Sequence, residues 1–320
     1  NAMTWKREEA GGLAAGCSAL AWATLDHRHL WGRNYDFDRL AEGSGMIFLP
    51  RGTEYWGVTA EGQAFAPHSA VYACMGMGLR LSPTPVLYEG INEKGLMGGQ
   101  LYYRGFAHYP DVPVPSGRTL QPPVLVYHLL AQCNGVEEAV RYLREEVELA
   151  AMPMLGTVAP LHWMFHDRTG ESVVVEPDRE GLHIYRGAMG VMTNSPGYPW
   201  HKLNLLNYAA LRNQDYPTVE LGGERQEQCF SGSGAQGLPG DWSSPSRFVR
   251  LAFLRSCALP GRDEAEGVSR MLHLFQSAAF PLGAVRVSSQ SHVTELDREV
   301  LPFDYTGYTS IYCAESGRAY

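Results

Sequence analysis

Cys17-Ser18-Ala19-Leu20-Ala21-Trp22-Ala23-Thr24 is followed by the polar turn Asp26-His27-Arg28-His29 and by the return Leu30-Trp31-Gly32-Arg33-Asn34-Tyr35-Asp36-Phe37. Two apolar, β-tolerant runs joined by a polar turn predict an antiparallel hairpin. Cys17 opens the first strand and follows a short polar leader ending in Gly16, so a single cut makes it N-terminal. A free N-terminal Cys holds nucleophile and base in one residue, because an α-amine with a pKa near ~7.7–8.0 can relay the thiol proton during acyl transfer. A buried structural thiol is the competing reading, and the local pattern alone favours it, since free Cys is among the most buried residue types. On the return strand, Arg33 and Asp36 can lie beside the start of the first. There a cation lowers the pKa of a thiol and a carboxylate holds the ammonium form of an amine. An ordinary Arg–Asp surface pair accounts for the same two residues, so the hairpin by itself leaves both readings open.

Outward from the hairpin, Val71–Cys74, Pro85–Tyr88 and Gly95–Tyr103 carry strand signals bounded by Gly, Pro or Asn. Helices are predicted over Pro122–Cys133 and Gly135–Leu143, the second opening with acids that suit a helix N-terminus. His162–His166, Ser172–Val175 and Leu182–Tyr185, separated by Asp-Arg-Thr-Gly and Asp-Arg-Glu-Gly turns, predict an antiparallel meander. Further helices are expected over His201–Leu211, Pro245–Cys257 and Glu264–Phe280, and a late strand over Tyr308–Cys313. Blocks of strands and helices in this order favour an α+β protein with antiparallel sheets covered by helices over a doubly wound sheet. The Gly-rich stretch Ser231–Gly240 lacks Gly-Lys-Ser/Thr and reads as a surface loop.

Composition narrows the partners. With 45% hydrophobic and 19% charged residues among 320, the chain can bury a large core. Its 26 Lys+Arg against 34 Asp+Glu leave a net charge of -8, which argues against nucleic acid as a partner. No apolar run reaches the ~18 residues of a membrane span. Asn1 and Ala2 read as a remnant of expression ahead of Met3, and Met3–Gly16 lacks the apolar stretch of a secretory signal, so a cytoplasmic location is expected. The six cysteines contain no Cys-x-x-Cys pair, so most are expected to be inert core thiols. Neither His162/His166 nor His27/His29 comes with a third ligand at a recognised spacing, and no metal is expected.

The chain resembles the choloylglycine hydrolase, or linear amide hydrolase, family of N-terminal nucleophile enzymes. The resemblance runs from Cys17 almost to the C-terminus. It is carried by Cys17-Ser18, Gly32–Phe37, Leu87–Met97 with Leu101-Tyr102-Tyr103, Val191–Pro196, and Gly237–Asp241 with Ser246-Arg247-Phe248. It implies a four-layer αββα sandwich of the N-terminal nucleophile hydrolase type, with 17–320 as one domain and 1–16 as leader. It also implies that Cys17 attacks an amide carbonyl with its own amine as base, forming a thioester that water opens. Arg33 and Asp36 then support the nucleophile, the Asn194 side chain and the Tyr102 N–H hold the oxyanion, and Arg247 completes the polar network. Turn chemistry at Asn194, a core role for Tyr102 and a solvated helix position for Arg247 are the bland alternatives. The resemblance implies no cofactor.

Within the family, bile salt hydrolases usually carry Asn where this chain has Tyr102, whereas penicillin V acylases carry Tyr, which tilts the expectation to a penicillin V acylase. Conjugated bile salt hydrolysis is the first alternative, and acyl-homoserine lactone acylase activity a third option within the same chemistry. Tyr35, Phe65, Met75 and Met77 are candidates for an apolar acyl pocket, with a core role open for each. The family's usual homotetramer is also implied, with Asn213–Gly240 as assembly element. Two departures matter. The leader is longer than in many relatives, so an uncut, inactive precursor or a non-catalytic ligand-binding relative is the reading from a different class. The stretch after Cys313 is short, so a shortened sheet edge is expected.

Overall fold

The hairpin forms. The computed structural model describes residues 16–59, 67–287, 294, 296–297 and 299–320, and in it Gly16–Ala23 pairs antiparallel with His29–Phe37. Cys17 lies opposite Tyr35, Ala19 opposite Arg33 and Ala21 opposite Trp31. Phe303–Cys313 pairs with the outer side of His29–Phe37, and Val191–Met192 with the outer side of Gly16–Ala23. Short strands at Val285–Arg286 and Arg318–Ala319 complete a six-stranded antiparallel sheet.

A second, seven-stranded antiparallel sheet runs in the order Gly181–Tyr185, Ser172–Asp178, Leu161–His166, Met97–Tyr102, Val86–Asn92, Cys74–Leu79, Ser44–Leu49. The two sheets face each other. Because side chains alternate along a strand, Ala19, Ala21 and Trp31 point together toward the second sheet, where they meet Ile91, Leu101 and Met164. The sheets approach closely at Gly99, where a Cβ would come within 2.7 Å of both the Trp31 ring and the Glu89 Cβ. Every residue of Gly16–Cys17-Ser18 to Trp22 is buried, since helices cover the outer face of this sheet as well.

Those helices are Ser244–Cys257 and Glu264–Gln276, which bury Phe248, Leu251, Met271 and Phe275. Leu125–Gln132 and Val136–Glu145 cover the outer face of the second sheet against Trp163, Phe165 and Val173. Val136–Glu145 buries Val136, Ala139, Val140 and Leu143, one stripe at helical spacing, and its first turn carries Glu137 and Glu138. The architecture is the four-layer αββα sandwich.

Several boundaries differ from expectation. The strand after Val71 starts at Cys74, because the N–H groups of Val71 and Tyr72 both go to Ala131 O instead of a sheet neighbour. The helix expected from His201 begins at Tyr198, with Pro199 in its first turn, and gives way to a 3-10 turn over Leu205–Tyr208. Cys74, Cys133 and Cys313 are buried free thiols like Cys17, whereas Cys229 is exposed and Cys257 half-buried. Among the described residues no helix is long and apolar enough to cross a membrane, and no cluster of His, Cys, Asp or Glu is placed to hold a metal ion. Residues 1–15, which hold nearly all of the expected leader, and Phe65 lie outside the described residues.

Candidate active site

Strand alternation sorts the hairpin residues around Cys17. Cys17, Arg33 and Tyr35 share the face toward the second sheet, while Asp36, opposite Gly16, faces the helices. Arg33 therefore reaches the thiol and Asp36 the main chain. Arg33 Nη2 donates to Cys17 Sγ at 2.6 Å. Its Nη1 donates to Gln100 O at 2.7 Å and to Glu89 Oε2 at 3.2 Å. Glu89 is itself held by the Tyr308 hydroxyl at 3.1 Å and the Ser310 hydroxyl at 3.0 Å. Burial raises the Cys17 thiol above its ordinary pKa, and the Arg33 guanidinium opposes that rise.

On the other side of Cys17 the main chain is gripped. Its N–H donates to Asn194 Oδ1 at 2.8 Å, and its C=O accepts from Arg247 Nη1 at 2.6 Å. Arg247, buried on the helix Ser244–Cys257, also donates from Nη2 to Asn194 Oδ1 at 2.7 Å and from Nη1 to Ser18 Oγ at 2.8 Å. Asp36 accepts from the Thr306 hydroxyl through Oδ1, while its buried Oδ2 has no hydrogen-bond partner among the described residues and lies 4.0 Å from Arg247 Nη1. Burial pushes the Asp36 carboxyl up to about 6, against the pull of Arg247. This buried acceptor belongs to the residue opposite Gly16, the neighbour of Cys17 on the first strand.

Asn194 Nδ2 donates to Tyr102 O at 3.0 Å, and the amide has a second N–H to give. Tyr103 N–H donates to Pro160 O and Leu161 N–H to the Tyr109 hydroxyl, so Tyr102 and Leu161 form a non-hydrogen-bonded pair. The N–H and C=O of one strand residue point to the same edge, which puts the Tyr102 N–H on the edge that faces Asn194. The Tyr102 N–H and the Asn194 side chain thus share one edge, and Asn194 is hydrogen-bonded to the Cys17 nitrogen.

The thiol opens into a cavity of 190 Å³. Tyr35, Phe37, Tyr88 and Tyr102 supply aromatic wall, Leu79, Val86, Met154 and Leu161 aliphatic wall. The Phe37 and Tyr102 rings stack with centroids 5.6 Å apart, as do Tyr35 and Tyr88 at 5.4 Å. Cys17, Arg33, Asp36 and Tyr102 all line this cavity, with Tyr35; Asn194 and Arg247 join through their hydrogen bonds to Cys17. Met75 and Met77 do not line it. The register shift between Met77 and Gly78 comes from an extra residue, Tyr88, on the neighbouring strand; the cavity touches Cys74–Leu79 only at Leu79, while Met75 packs against the core between the sheets. Glu89, Gln100 and Thr306 were not anticipated; a lone Glu in the wholly buried run Val86–Asn92 was the available signal for the first.

Over residues 17–320 the chain matches the family described as linear amide C-N hydrolases, choloylglycine hydrolase family. It is 30% identical over 306 residues to a bile salt hydrolase/transferase of Clostridium perfringens, covering 95% of this chain and 88% of that protein. A bile salt hydrolase/transferase of Lactiplantibacillus plantarum is 30% identical over 307 residues, with 95% and 88% covered. The crystal structure of a variant of conjugated bile acid hydrolase from Clostridium perfringens has a TM-score of 0.81 at 31% identity, covering 95% of this chain and 88% of the other. Penicillin V acylase from Agrobacterium tumefaciens shares the fold, with a TM-score of 0.68 at 20% identity over 92% and 79%. With its αββα architecture and a buried cysteine heading the first strand, the chain belongs to the choloylglycine hydrolase family and is a cysteine amidohydrolase acting on linear carbon–nitrogen bonds.

Proposed function

We propose that this enzyme cleaves amides of a compact, apolar acyl group, of the phenoxyacetyl kind found in penicillin V, and that Cys17 does so once residues 1–16 are removed and 17–320 stands as the working domain. The freed α-amine takes the thiol proton, Sγ bonds to the carbonyl carbon, and Asn194 Nδ2 and the Tyr102 N–H hold the oxyanion. The C–N bond then breaks, the leaving amine takes its proton from the Cys17 ammonium, and a thioester remains. Water attacks the thioester with the α-amine again as base, the C–S bond breaks, the proton passes to Sγ and the carboxylic acid leaves. Arg33 supports the thiolate, Asp36 receives the ammonium through its unpartnered Oδ2, and Arg247 fixes Cys17 and Asn194 together.

The observation that carries the choice of acyl group is the cavity. At 190 Å³ with stacked aromatic walls, it is below the ~300–1,000 Å³ of sites for drug-sized ligands. A single ring on a short acyl chain suits that volume better than a fused steroid. The measurement is kcat/KM of processed protein on penicillin V and on glycocholate, with the first expected to be higher. Conjugated bile salt hydrolysis is the second reading, favoured by the 30% identity to bile salt hydrolase/transferases over 95% of the chain, and a higher value on glycocholate would establish it. Intact mass precedes both assays, because a Cys17 nitrogen still in a peptide bond cannot act as base. The usual assembly of the family adds a homotetramer joined through Asn213–Gly240, where the hairpin Val219–Leu221 with Glu224–Gln226 is fully exposed; light scattering tests it.

A further inference from the structure

Asn194 is held on both sides of its α-carbon. Its N–H donates to Ser244 Oγ at 2.9 Å, and its C=O meets His201 Nε2 at 2.9 Å. A carbonyl oxygen only accepts, so His201 carries a proton on Nε2. The imidazole is buried and stacks on Phe248, with centroids 4.5 Å apart and planes 12° from parallel. Burial lowers its pKa to about 4, which keeps the ring neutral, and the hydrogen bond to the Asn194 carbonyl selects the tautomer with its proton on Nε2. Ser244 opens the helix that carries Arg247, and the Thr193 hydroxyl meets the Ser244 hydroxyl at 2.9 Å. One helix thus holds the Asn194 N–H through Ser244 and its side-chain oxygen through Arg247, while the helix Tyr198–Asn204 holds its C=O through His201.

An oxyanion donor is effective only when it already stands where the charge develops, and displacements on the order of 1 Å can cost ~100-fold in rate. A residue tethered at its N–H alone can pivot there; tethered at both N–H and C=O, it cannot. We infer that His201 is a positioning residue for the amide cleavage reaction: with Ser244 it locks the main chain of Asn194 so that the side-chain amide is fixed at the oxyanion position. The inference rests on the reading of Asn194 as oxyanion donor. His201 touches no reacting atom, and its packing on Phe248 is the role that has to be separated from the hydrogen bond.

The test uses processed protein, with penicillin V or glycocholate, whichever turns over faster. His201→Phe keeps a ring on Phe248 and removes the donor; His201→Gln keeps a donor and removes the ring. The expected result is a fall in kcat of about 10–100-fold for His201→Phe with KM within about twofold, and recovery to within about fivefold for His201→Gln. Iodoacetamide alkylation of Cys17, followed by peptide mass, is expected at the wild-type rate in both, since alkylation makes no oxyanion. In an Asn194→Ala background His201→Phe is expected to have no further effect. Wild-type kcat in Asn194→Ala would remove the oxyanion reading itself. A large loss in Asn194→Ala with kcat within threefold of wild type in folded His201→Phe would overturn the positioning role alone. Should His201→Phe fail to fold, His201→Gln and Ser244→Ala decide: near-wild-type kcat in the first with about tenfold loss in the second upholds the inference, and any other pattern overturns it.

Discussion

Arg33 donates to the Cys17 sulfur at 2.6 Å while its other terminal nitrogen stands 3.2 Å from Glu89, so one buried guanidinium serves a thiol and a carboxylate at once. Its removal has two separable consequences. Without the cation the thiol loses the opposition to its burial, so Arg33→Met is expected to slow iodoacetamide alkylation of Cys17 at pH 8 by about 10-fold or more. It also strands Glu89 as a buried unpaired charge, at a cost of about 3–5 kcal/mol in urea denaturation. Adding Glu89→Gln is expected to return most of the stability and none of the reactivity. Recovery of both would mean that Arg33 is structural only.

Asp304 sets a pH dependence of folding. It is buried on the strand Phe303–Cys313, its Oδ1 has no partner among the described residues, and burial with the nearby Asp38 and Asp36 pushes it up to about 7 despite Arg247. An acid whose folded pKa is raised binds its proton more tightly when folded, so its contribution is favourable at low pH and is lost as pH rises from about 4 through about 7. Asp36, raised to about 6, acts in the same direction. Asp241 and Glu266, each lowered to about 2 by hydrogen bonds, act oppositely and only at lower pH. Asp304→Asn is therefore expected to match wild type in urea midpoint near pH 4 and to exceed it at pH 8. A constant difference across that range would show that Asp304 does not titrate there.

Gly99 tests how closely the sheets must approach. A methyl group there would meet Glu89 Cβ and the Trp31 ring at 2.7 Å, and neither neighbour is the free end of a flexible chain. Gly99→Ala is expected to cost about 1–3 kcal/mol in urea denaturation, and through Glu89 to weaken the Arg33 contact with Cys17. An unchanged midpoint would mean that the two sheets can slide apart at this layer.

The hairpin was legible because its apolar runs and polar turn are local signals, and the helix Val136–Glu145 because acids open its first turn. Cys17, Arg33 and Asp36 stood together in the hairpin, with a bland reading left open, whereas Tyr102, Asn194 and Arg247 came from the family resemblance alone, since they lie on a strand, a turn and a helix that only the fold brings together. What escaped was set by tertiary context. Ser44–Leu49 is an edge strand whose Met46 and Phe48 are exposed, so no inward apolar alternation announces it. Met75 and Met77 read as pocket residues from side-chain type alone, and only the fold shows that their strand meets the cavity at Leu79. Glu89 sits in a sequence that otherwise reads as plain core, and only the arrival of Arg33, Tyr308 and Ser310 from other strands explains a carboxylate there.

Tyr102 joins two functions that can be separated by substitution. Its main chain borders Asn194, through the carbonyl that accepts from Nδ2, and its ring stacks on Phe37 in the wall of the cavity. Tyr102→Asn leaves the main chain in place and deletes the ring, so the oxyanion geometry is retained while the cavity widens toward Phe37 and Leu161. The ratio of kcat/KM on glycocholate to that on penicillin V is expected to rise by about 10-fold or more, within the range that one pocket contact commands. Phe37→Ala, which removes the stacking partner from the same wall, is expected to move the ratio in the same direction. If both variants lose activity on the two substrates equally, the ring serves the fold and the acyl group is selected elsewhere. If Tyr102→Asn alone shifts the ratio, selection lies with that side chain and not with the volume of the cavity.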